Sequence, residues 1–195
     1  MKIKVLITGH KGFLGSSLWK KLKKYKSLKL YGYDNNIYSN KYNYKKKFQK
    51  LKKKDLKNID VLIHLAGVST NYDPKGKIYK IISDKVNFKE TFILAKKAKK
   101  AGVKKFIFAS STSVYGDKKN KLVTEKSKLS PTTSYGKSKA NAEKYLIKIS
   151  NSIFKVIILR MVTLFGNSDR MRFDLLVNNL ILSYLQNKKI ILKSD

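Results

Sequence analysis

The chain of 195 residues contains no cysteine, two prolines and only three arginines among its 45 basic residues. Without cysteine it can form neither a disulfide framework nor a thiolate metal site, as expected for a reducing, cytoplasmic environment. No apolar run reaches the roughly 18 residues that span a membrane, and the amino terminus resembles a core strand rather than a signal sequence. Its two histidines, His10 and His64, are isolated in the sequence, so we expect no metal site.

Acidic residues are also scarce. The chain has 12 Asp and Glu residues against 45 Lys and Arg residues, which gives a formal net charge of +33. Such a charge would ordinarily indicate a nucleic-acid or anionic-membrane partner. Lysine is spread through the whole chain, however, whereas proteins that read nucleic acids usually rely on arginine and clustered basic faces. The densest basic run, residues 45–54, could contact phosphates nonspecifically, but we favour a solvated loop with a short strand. We therefore expect no specific nucleic-acid partner and no membrane partner.

Strand and helix patterns alternate along the chain. This alternation, with β-branched apolar strands, predicts an α/β fold of the Rossmann type, a doubly wound parallel sheet covered by helices on both faces. The predicted strands are 3–7, 28–33, 60–65, 104–110, 154–160 and 189–193. The predicted helices are 13–26, 77–101, 134–151 and 174–186, with a helix or loop around 45–54.

A glycine-rich turn follows the first predicted strand and opens the first predicted helix. Its sequence, Thr8-Gly-His-Lys-Gly-Phe-Leu-Gly15, has the context of a dinucleotide-binding fingerprint, with one extra residue in the first gap. Gly9 allows the tight turn, Gly12 lets the backbone approach a pyrophosphate, and Gly15 lets helix and strand pack closely. Asp34 ends the second predicted strand, where a carboxylate can bind a ribose diol and would repel a 2′-phosphate. The pattern therefore favours NAD over NADP.

Tyr135 and Lys139 are separated by one helical turn, so their side chains share a helix face. A lysine ammonium beside a phenol favours the phenolate and lowers the phenol's pKa from about 10, which makes the tyrosine a usable base near neutral pH. This spacing alone is weak in so lysine-rich a chain. It gains weight from the upstream run Ser110–Gly116, which is rich in hydroxyl side chains.

These residues resemble the extended short-chain dehydrogenase/reductase family, which contains the nucleotide-sugar epimerases and dehydratases. The resemblance runs in order along nearly the whole chain. The segments that carry it are Thr8–Gly15 (phosphate loop), Asp55-Leu56 (adenine pair), Val61–Gly67 (fourth strand), Val86-Asn87 (fourth helix), Ser110–Gly116 (end of the fifth strand), Ser130–Tyr135 (entry to the catalytic helix), Leu159–Gly166 (sixth strand and turn) and Arg170–Asn178.

The resemblance implies a catalytic triad in which Ser111 supplies a hydroxyl, Tyr135 is the base and Lys139 binds the nicotinamide ribose. It also implies a set of NAD-binding residues, with Asp34 at the adenosine ribose, Asp55 and Leu56 at the adenine, and Asn87 behind the cofactor groove. The full implied set is Gly9, Gly12, Phe13, Leu14, Gly15, Asp34, Asp55, Leu56, Leu65, Ala66, Gly67, Asn87, Tyr135 and Lys139.

The activity implied is that of an NAD-dependent nucleotide-sugar epimerase similar to the UDP-glucose 4-epimerases. Two alternatives remain open, a sugar-nucleotide reductase or dehydrogenase and a non-catalytic NAD-binding protein. Family dehydratases and decarboxylases carry acidic residues just before Val-Tyr-Gly, where this chain has Thr112 and Ser113, so both activities are disfavoured. Many members contact the substrate diphosphate through an asparagine where this chain has Thr163, so we expect that contact either to be lost or to be made by a hydroxyl.

Residues 1–165 are predicted to form the NAD-binding domain. Residues 166–195 would begin a substrate-binding region that is shorter than the family's. The resemblance also implies a homodimer formed through the helices at 78–101 and 134–151.

Overall fold

The computed structural model describes residues 1–34, 48–69, 77–118 and 122–190. In this part of the chain five strands form one parallel sheet in the order β2-β1-β3-β4-β5, flanked by helices, which confirms the predicted α/β class. The strands are β1 (Ile3–Thr8), β2 (Leu28–Tyr33), β3 (Val61–His64), β4 (Lys105–Ser111) and β5 (Lys155–Met161). The helices are α1 (Phe13–Leu22), α2 (Lys77–Ser83), α3 (Thr91–Lys100), α4 (Ser134–Ile149) and α5 (Leu176–Asn187).

The strand order changes direction at β1. Strand β2 pairs with one side of β1, and the next strand, β3, pairs with the other side. In open parallel sheets such a switch point opens a crevice at the carboxyl ends of the strands, and ligands bind there. The topology therefore predicts the site near Thr8, His64 and Ser111, the last residues of β1, β3 and β4.

The core lies between the sheet and the helices. Apolar side chains of the central strands are removed from solvent, and Ala142 and Leu146 of α4 pack against them. The fully buried aromatic side chains are Phe106, Phe108 and Phe154. Burial of this kind, at roughly 25 cal/mol per Å² of apolar surface, stabilises the sheet on which the site is built.

The helix predicted over 77–101 is helical without a break from residue 77 to residue 100, but its middle part, Asp84–Glu90, is a π-helical segment between α2 and α3. The buried polar residues Ser83, Asn87 and Thr91 are spaced by four; the first two bond Ser138 of α4 and the third bonds His64 of β3. Thr91 Oγ1 donates a hydrogen bond to the carbonyl of Val86 at 3.2 Å. The sequence prediction missed this segment because its apolar spacing is compatible with an ordinary helix.

The other differences between the predicted and the observed secondary structure are small. The run at 45–54 contains two short 3₁₀ turns, Phe48–Lys50 and Lys53–Leu56, rather than a strand in its described part. Of the predicted strand 189–193, residues 189 and 190 are not in a strand and the others lie outside the described residues. No helix in the described ranges is long and apolar enough to cross a bilayer.

Leu62→Ala should lower the free energy of unfolding by about 2–5 kcal/mol, because Leu62 is 0 % exposed in the central strand β3 and truncation leaves a cavity. Leu122→Ala is the matched control, since Leu122 is 100 % exposed and its loss should change the free energy by less than about 0.5 kcal/mol. Urea denaturation followed by circular dichroism measures both. Equal effects of the two substitutions would contradict the position of the core.

Candidate active site

The glycine turn packs tightly between α1 and the end of β3. Gly9 has φ +76°, and a Cβ there would lie 2.7 Å from the backbone nitrogen of Ala66. A Cβ on Gly15 would overlap the carbonyl oxygen of Gly9. Helix α1 begins at Phe13 with Gly12 as its N-cap, so its first N–H groups point out of the turn, where a helix terminus favours an anion.

A cleft of about 900 Å³ lies at the carboxyl ends of the strands, beside this turn. It brings Ser111, Tyr135 and Lys139 together with the glycine turn. The implied NAD-binding residues that line it are Gly9, Gly12, Phe13, Leu14, Gly15, Leu65, Gly67, Tyr135 and Lys139. Residues that the resemblance did not assign to the catalytic or NAD-binding sets also line it, among them Thr112, Ser113, Thr133, Met161, Arg170, Arg172 and Asp174.

Ser111 ends β4 and caps the 3₁₀ turn Thr112–Tyr115. Its Oγ accepts hydrogen bonds from the backbone N–H of Ser113 at 3.2 Å and from the Ser113 hydroxyl at 3.0 Å. These two bonds fix the Ser111 side chain at the wall of the cleft.

Helix α4 approaches this turn closely, which places Tyr135 near Ser111. A Cβ on Gly136 would lie 2.6 Å from the carbonyl oxygen of Ser113, so only glycine allows this approach. The helix is capped by Thr133, whose Oγ1 accepts a hydrogen bond from the Gly136 N–H at 3.0 Å. The first turn of α4 therefore presents Tyr135 to the cleft.

Lys139 is buried, with 4 % of the residue exposed, and its amine lies near the ring of Tyr135. Its Nζ donates to the carbonyl of Ala109 at 2.8 Å and lies 5.6 Å from the centre of the Tyr135 ring and 4.7 Å from that of Phe108. Burial lowers the pKa of Lys139 to about 8, and the negative charge of Glu143 acts in the opposite direction. At neutral pH the amine is therefore mainly protonated.

Asn87 holds the loop that follows β3. Its amide makes two hydrogen bonds with the backbone of Val68, at 2.8 and 2.9 Å, and its nitrogen also donates to Ser83 and Ser138. Asn87 is fully buried and does not line the cleft itself. It lies behind Gly67, where an added Cβ would be 2.9 Å from the Asn87 Oδ1.

The residues assigned to the adenosine end lie outside the cleft. Asp34 follows β2 and accepts a hydrogen bond from the Lys11 N–H at 2.9 Å, which sets its carboxylate beside the glycine turn. Asp55 is exposed and accepts from the Lys52 N–H at 2.8 Å. Leu56 is buried in the core, so only its backbone atoms remain for a ligand. Ala66 packs against Gly9.

His64 has a structural role. Its Nδ1 lies 2.6 Å from Thr8 Oγ1 and its Nε2 lies 2.9 Å from Thr91 Oγ1, so the ring links β1, β3 and α3. Burial lowers its pKa to about 3, helped by the charge of Lys139, so the ring stays neutral. Across the described ranges, no group of three His, Asp or Glu side chains could hold a metal ion.

The sequence reasoning missed a buried ion pair between Glu143 of α4 and Arg160 of β5, whose closest contact is 2.8 Å. Glu143 comes four residues after Lys139, and this spacing is the signal that could have revealed it. Arg160 follows four apolar residues in β5, which is a second signal, because a charge that is buried beside such a run needs a partner.

The segment from residue 162 to residue 175 forms the far wall of the cleft and rests on α1. Ser168 Oγ donates to the carbonyl of Phe13 at 2.6 Å and lies 2.7 Å from Ser16 Oγ, while Ser17 Oγ donates to the carbonyl of Asn167 at 3.1 Å. This wall adds Arg170 and an Arg172–Asp174 ion pair to the cleft.

The sequence of this chain is similar to those of several known proteins. The chain is 30 % identical to an uncharacterized UDP-glucose epimerase, YtcB, of Bacillus subtilis, over 99 % of this chain and 66 % of that protein. It is 36 % identical to the UDP-glucose 4-epimerase of Vibrio cholerae over 60 % of this chain and 37 % of that enzyme. The chain thus spans about two thirds of the first relative and about a third of the second.

The fold of this chain is also similar to solved structures. The UDP-glucuronic acid 4-epimerase from Bacillus cereus in complex with NAD superimposes with a TM-score of 0.79 at 28 % identity, over 94 % of this chain and 64 % of that one. The UDP-N-acetylglucosamine 4-epimerase from Methanobrevibacter ruminantium, solved with UDP-N-acetylmuramic acid, gives 0.84 at 25 % identity, over 100 % and 67 %.

The model of one family, described as the NAD dependent epimerase/dehydratase family, matches residues 5–195. This match covers nearly the whole chain and confirms the resemblance seen in the motifs. The chain belongs to the NAD-dependent epimerase/dehydratase family.

Proposed function

We propose that the protein is an NAD-dependent epimerase, similar to the 4-epimerases, that acts on a nucleotide-diphosphate sugar through Ser111, Tyr135 and Lys139. The observation that carries the proposal is that these three side chains line one cleft together with the glycine turn. The cleft lies at the switch point of the sheet, where folds of this class bind nucleotides.

The residues present fit NAD. The glycine turn offers a backbone surface and the start of α1 to the pyrophosphate. Asp34, held beside that turn by the Lys11 N–H, would bind the diol of the adenosine ribose. Lys139 would bind the nicotinamide ribose, and Leu65 and Gly67 would line the groove. Asn87 would support the groove from the protein interior through its hydrogen bonds to Val68. Asp55 and the backbone of Leu56 would meet the adenine.

The chemistry of the chain's own residues is a proton transfer. The positive charge of Lys139, 5.6 Å from the Tyr135 ring centre, favours the phenolate. Tyr135 would take the proton of a sugar hydroxyl and later return it, while the hydroxyl of Ser111 would hydrogen-bond the reacting oxygen and stabilise its partial charge. Bound NAD would supply the reversible hydride transfer at the sugar carbon that carries this hydroxyl, with return to the opposite face of the sugar.

Epimerisation is favoured over elimination because Thr112 and Ser113 occupy the positions where an acid would be needed. Within the described part of the chain, the one carboxylate that lines the cleft is Asp174, which is paired with Arg172. We propose that residues 1–165 form the cofactor domain and that the sugar-nucleotide region begins at residue 166, since the cleft is also lined by residues that follow the last strand, between 162 and 175.

Tyr135→Phe should reduce turnover of UDP-glucose by about 10²–10⁴-fold, because it removes the group that exchanges the proton. NAD binding, measured by fluorescence titration, should be retained. Tyr145→Phe on the same helix is the control, since Tyr145 lies outside the cleft and is 39 % exposed. Wild-type turnover in Tyr135→Phe would contradict the proposal.

The same assay separates the alternatives. A reductase or dehydrogenase would change the redox state of NAD in step with sugar conversion, whereas an epimerase leaves it unchanged overall. A wild-type protein that binds NAD but converts neither UDP- nor dTDP-sugars would be a binding protein.

Asp34→Ser should raise the affinity for NADP relative to NAD by about tenfold, which equals about 1.4 kcal/mol. The carboxylate would repel a 2′-phosphate, and serine removes that repulsion. Asp84→Ser is the control, because Asp84 is a surface carboxylate paired with Lys89, far from the glycine turn in sequence. An unchanged NAD/NADP preference in Asp34→Ser, measured by competitive titration, would remove Asp34 from the ribose site.

We also propose that two copies associate through α3, α4 and the π-helical segment between α2 and α3. On this surface the ring of Tyr145 lies 5.2 Å from the rings of both Phe88 and Phe92. The three aromatic side chains remain partly exposed, as expected for a surface that a second copy covers.

Tyr145→Glu should shift the protein from dimer to monomer, because it brings two like charges into this aromatic surface. Light scattering after size-exclusion chromatography measures the mass. Tyr25→Glu, at another exposed tyrosine beyond the end of α1, should leave the mass unchanged. A monomeric wild-type protein would refute the dimer.

A further inference from the structure

Three ionisable side chains follow one another along a single face of α4. Tyr135, Lys139 and Glu143 are spaced by four residues, so each lies one turn above the last. Lys139 and Glu143 are among the most buried residues of the protein, at 4 % and 1 % exposed. A carboxylate this buried requires compensating partners, because removal of a charge from water is costly.

The partners of Glu143 come from the two strands that end at the cleft. Arg160 of β5 donates from Nε to both carboxylate oxygens, at 3.2 and 3.1 Å, and from Nη2 to Oε2 at 2.8 Å. Ser110 of β4, the neighbour of Ser111, donates its hydroxyl to Oε1. Glu143 therefore joins the helix that carries Tyr135 and Lys139 to the strand end that carries Ser111.

Arg160 extends this connection to the chain that leads into α4. Its Nη1 donates to the Tyr115 hydroxyl and to the carbonyl of Glu125, both at 2.9 Å. Its guanidinium also lies 5.0 Å from the centre of the Tyr115 ring. The ion pair thus fixes the 3₁₀ turn after Ser111 and the approach to Tyr135 at the same time.

We infer that Glu143 is a positioning residue: its bonds to Ser110 and Arg160 fix the helix that carries Lys139 against the strand ends, and its carboxylate supplies a buried negative charge one helical turn from Lys139. The inference rests on the proposed function for its catalytic meaning, but the position and charge of Lys139 can be measured without turnover. Glu143 does not line the cleft, so it acts on the reaction only through the residues whose positions it fixes.

The charged and titratable groups around Lys139 support this assignment. Tyr135 and Glu143 lie one turn from it on α4, the ring of His64 in β3 is neutral, and Arg160, which contacts Tyr115, is paired with Glu143. Burial lowers the pKa of Lys139, and Glu143 is the group that raises it. Loss of the carboxylate should therefore make Lys139 deprotonate at a lower pH.

The test is a pH titration of ¹³C-labelled lysine side chains by NMR. The Lys139 resonance should titrate near pH 8, well below the about 10.4 of exposed lysines, and should be absent from Lys139→Met. In Glu143→Gln its midpoint should move to lower pH. Asp60→Asn, which breaks a more exposed ion pair with Lys104, is the control and should leave the midpoint unchanged.

Glu143→Gln leaves Arg160 without its partner and could unfold the protein, so the double variant Glu143→Met/Arg160→Met is measured as well. Apolar replacement of both members of a buried pair is often tolerated. Its Lys139 midpoint should also move down. A wild-type midpoint in either folded variant would overturn the inference.

Turnover of UDP-glucose distinguishes the two proposals. An active wild-type protein should lose activity on the basic side of its pH profile, and this limb should move to lower pH in the folded Glu143 variants. If the wild type is inactive while the NMR midpoint still moves, the proposed function fails and the assignment of Glu143 stands.

Discussion

The site depends on the contact between the first turns of α4 and the end of β4. Gly136 allows the helix to approach the carbonyl of Ser113, and one turn later Lys139 donates its hydrogen bond to the carbonyl of Ala109. Gly136 and Lys139 are both buried, so these two contacts are largely removed from water. They set the distance between the hydroxyl at the strand end and the phenol on the helix, which no local sequence preference could determine.

Much of this arrangement could be predicted because it depends on local patterns. The strands follow from β-branched apolar runs, and the glycine turn follows from its spacing and its place between strand and helix. The one-turn spacing of Tyr135 and Lys139 placed both on one face of a helix. The order of these motifs along the chain was enough to indicate the family.

Other features could not be predicted, because they arise from contacts between distant parts of the chain. The partner of Arg160 is 17 residues away, and the bonds of Thr8 and Thr91 to His64 cross 56 and 27 residues. His64, isolated in sequence, is in fact a buried link between three elements. Asn87, in the π-helical segment, likewise bonds Val68 and Ser138, which are 19 and 51 residues away. A single sequence shows the residue types but not these pairings.

The wall of the cleft has a consequence for the order in which the molecule assembles. Ser168 reaches the carbonyl of Phe13 across 155 residues of chain, and contacts of such separation form late because a long loop must close first. During synthesis the glycine turn, Ser111 and Tyr135 all leave the ribosome before Ser168. A nascent chain can therefore have its nucleotide crevice in place while one side is still open to solvent, and that side is covered when Asn167 and Ser168 reach the first turns of α1.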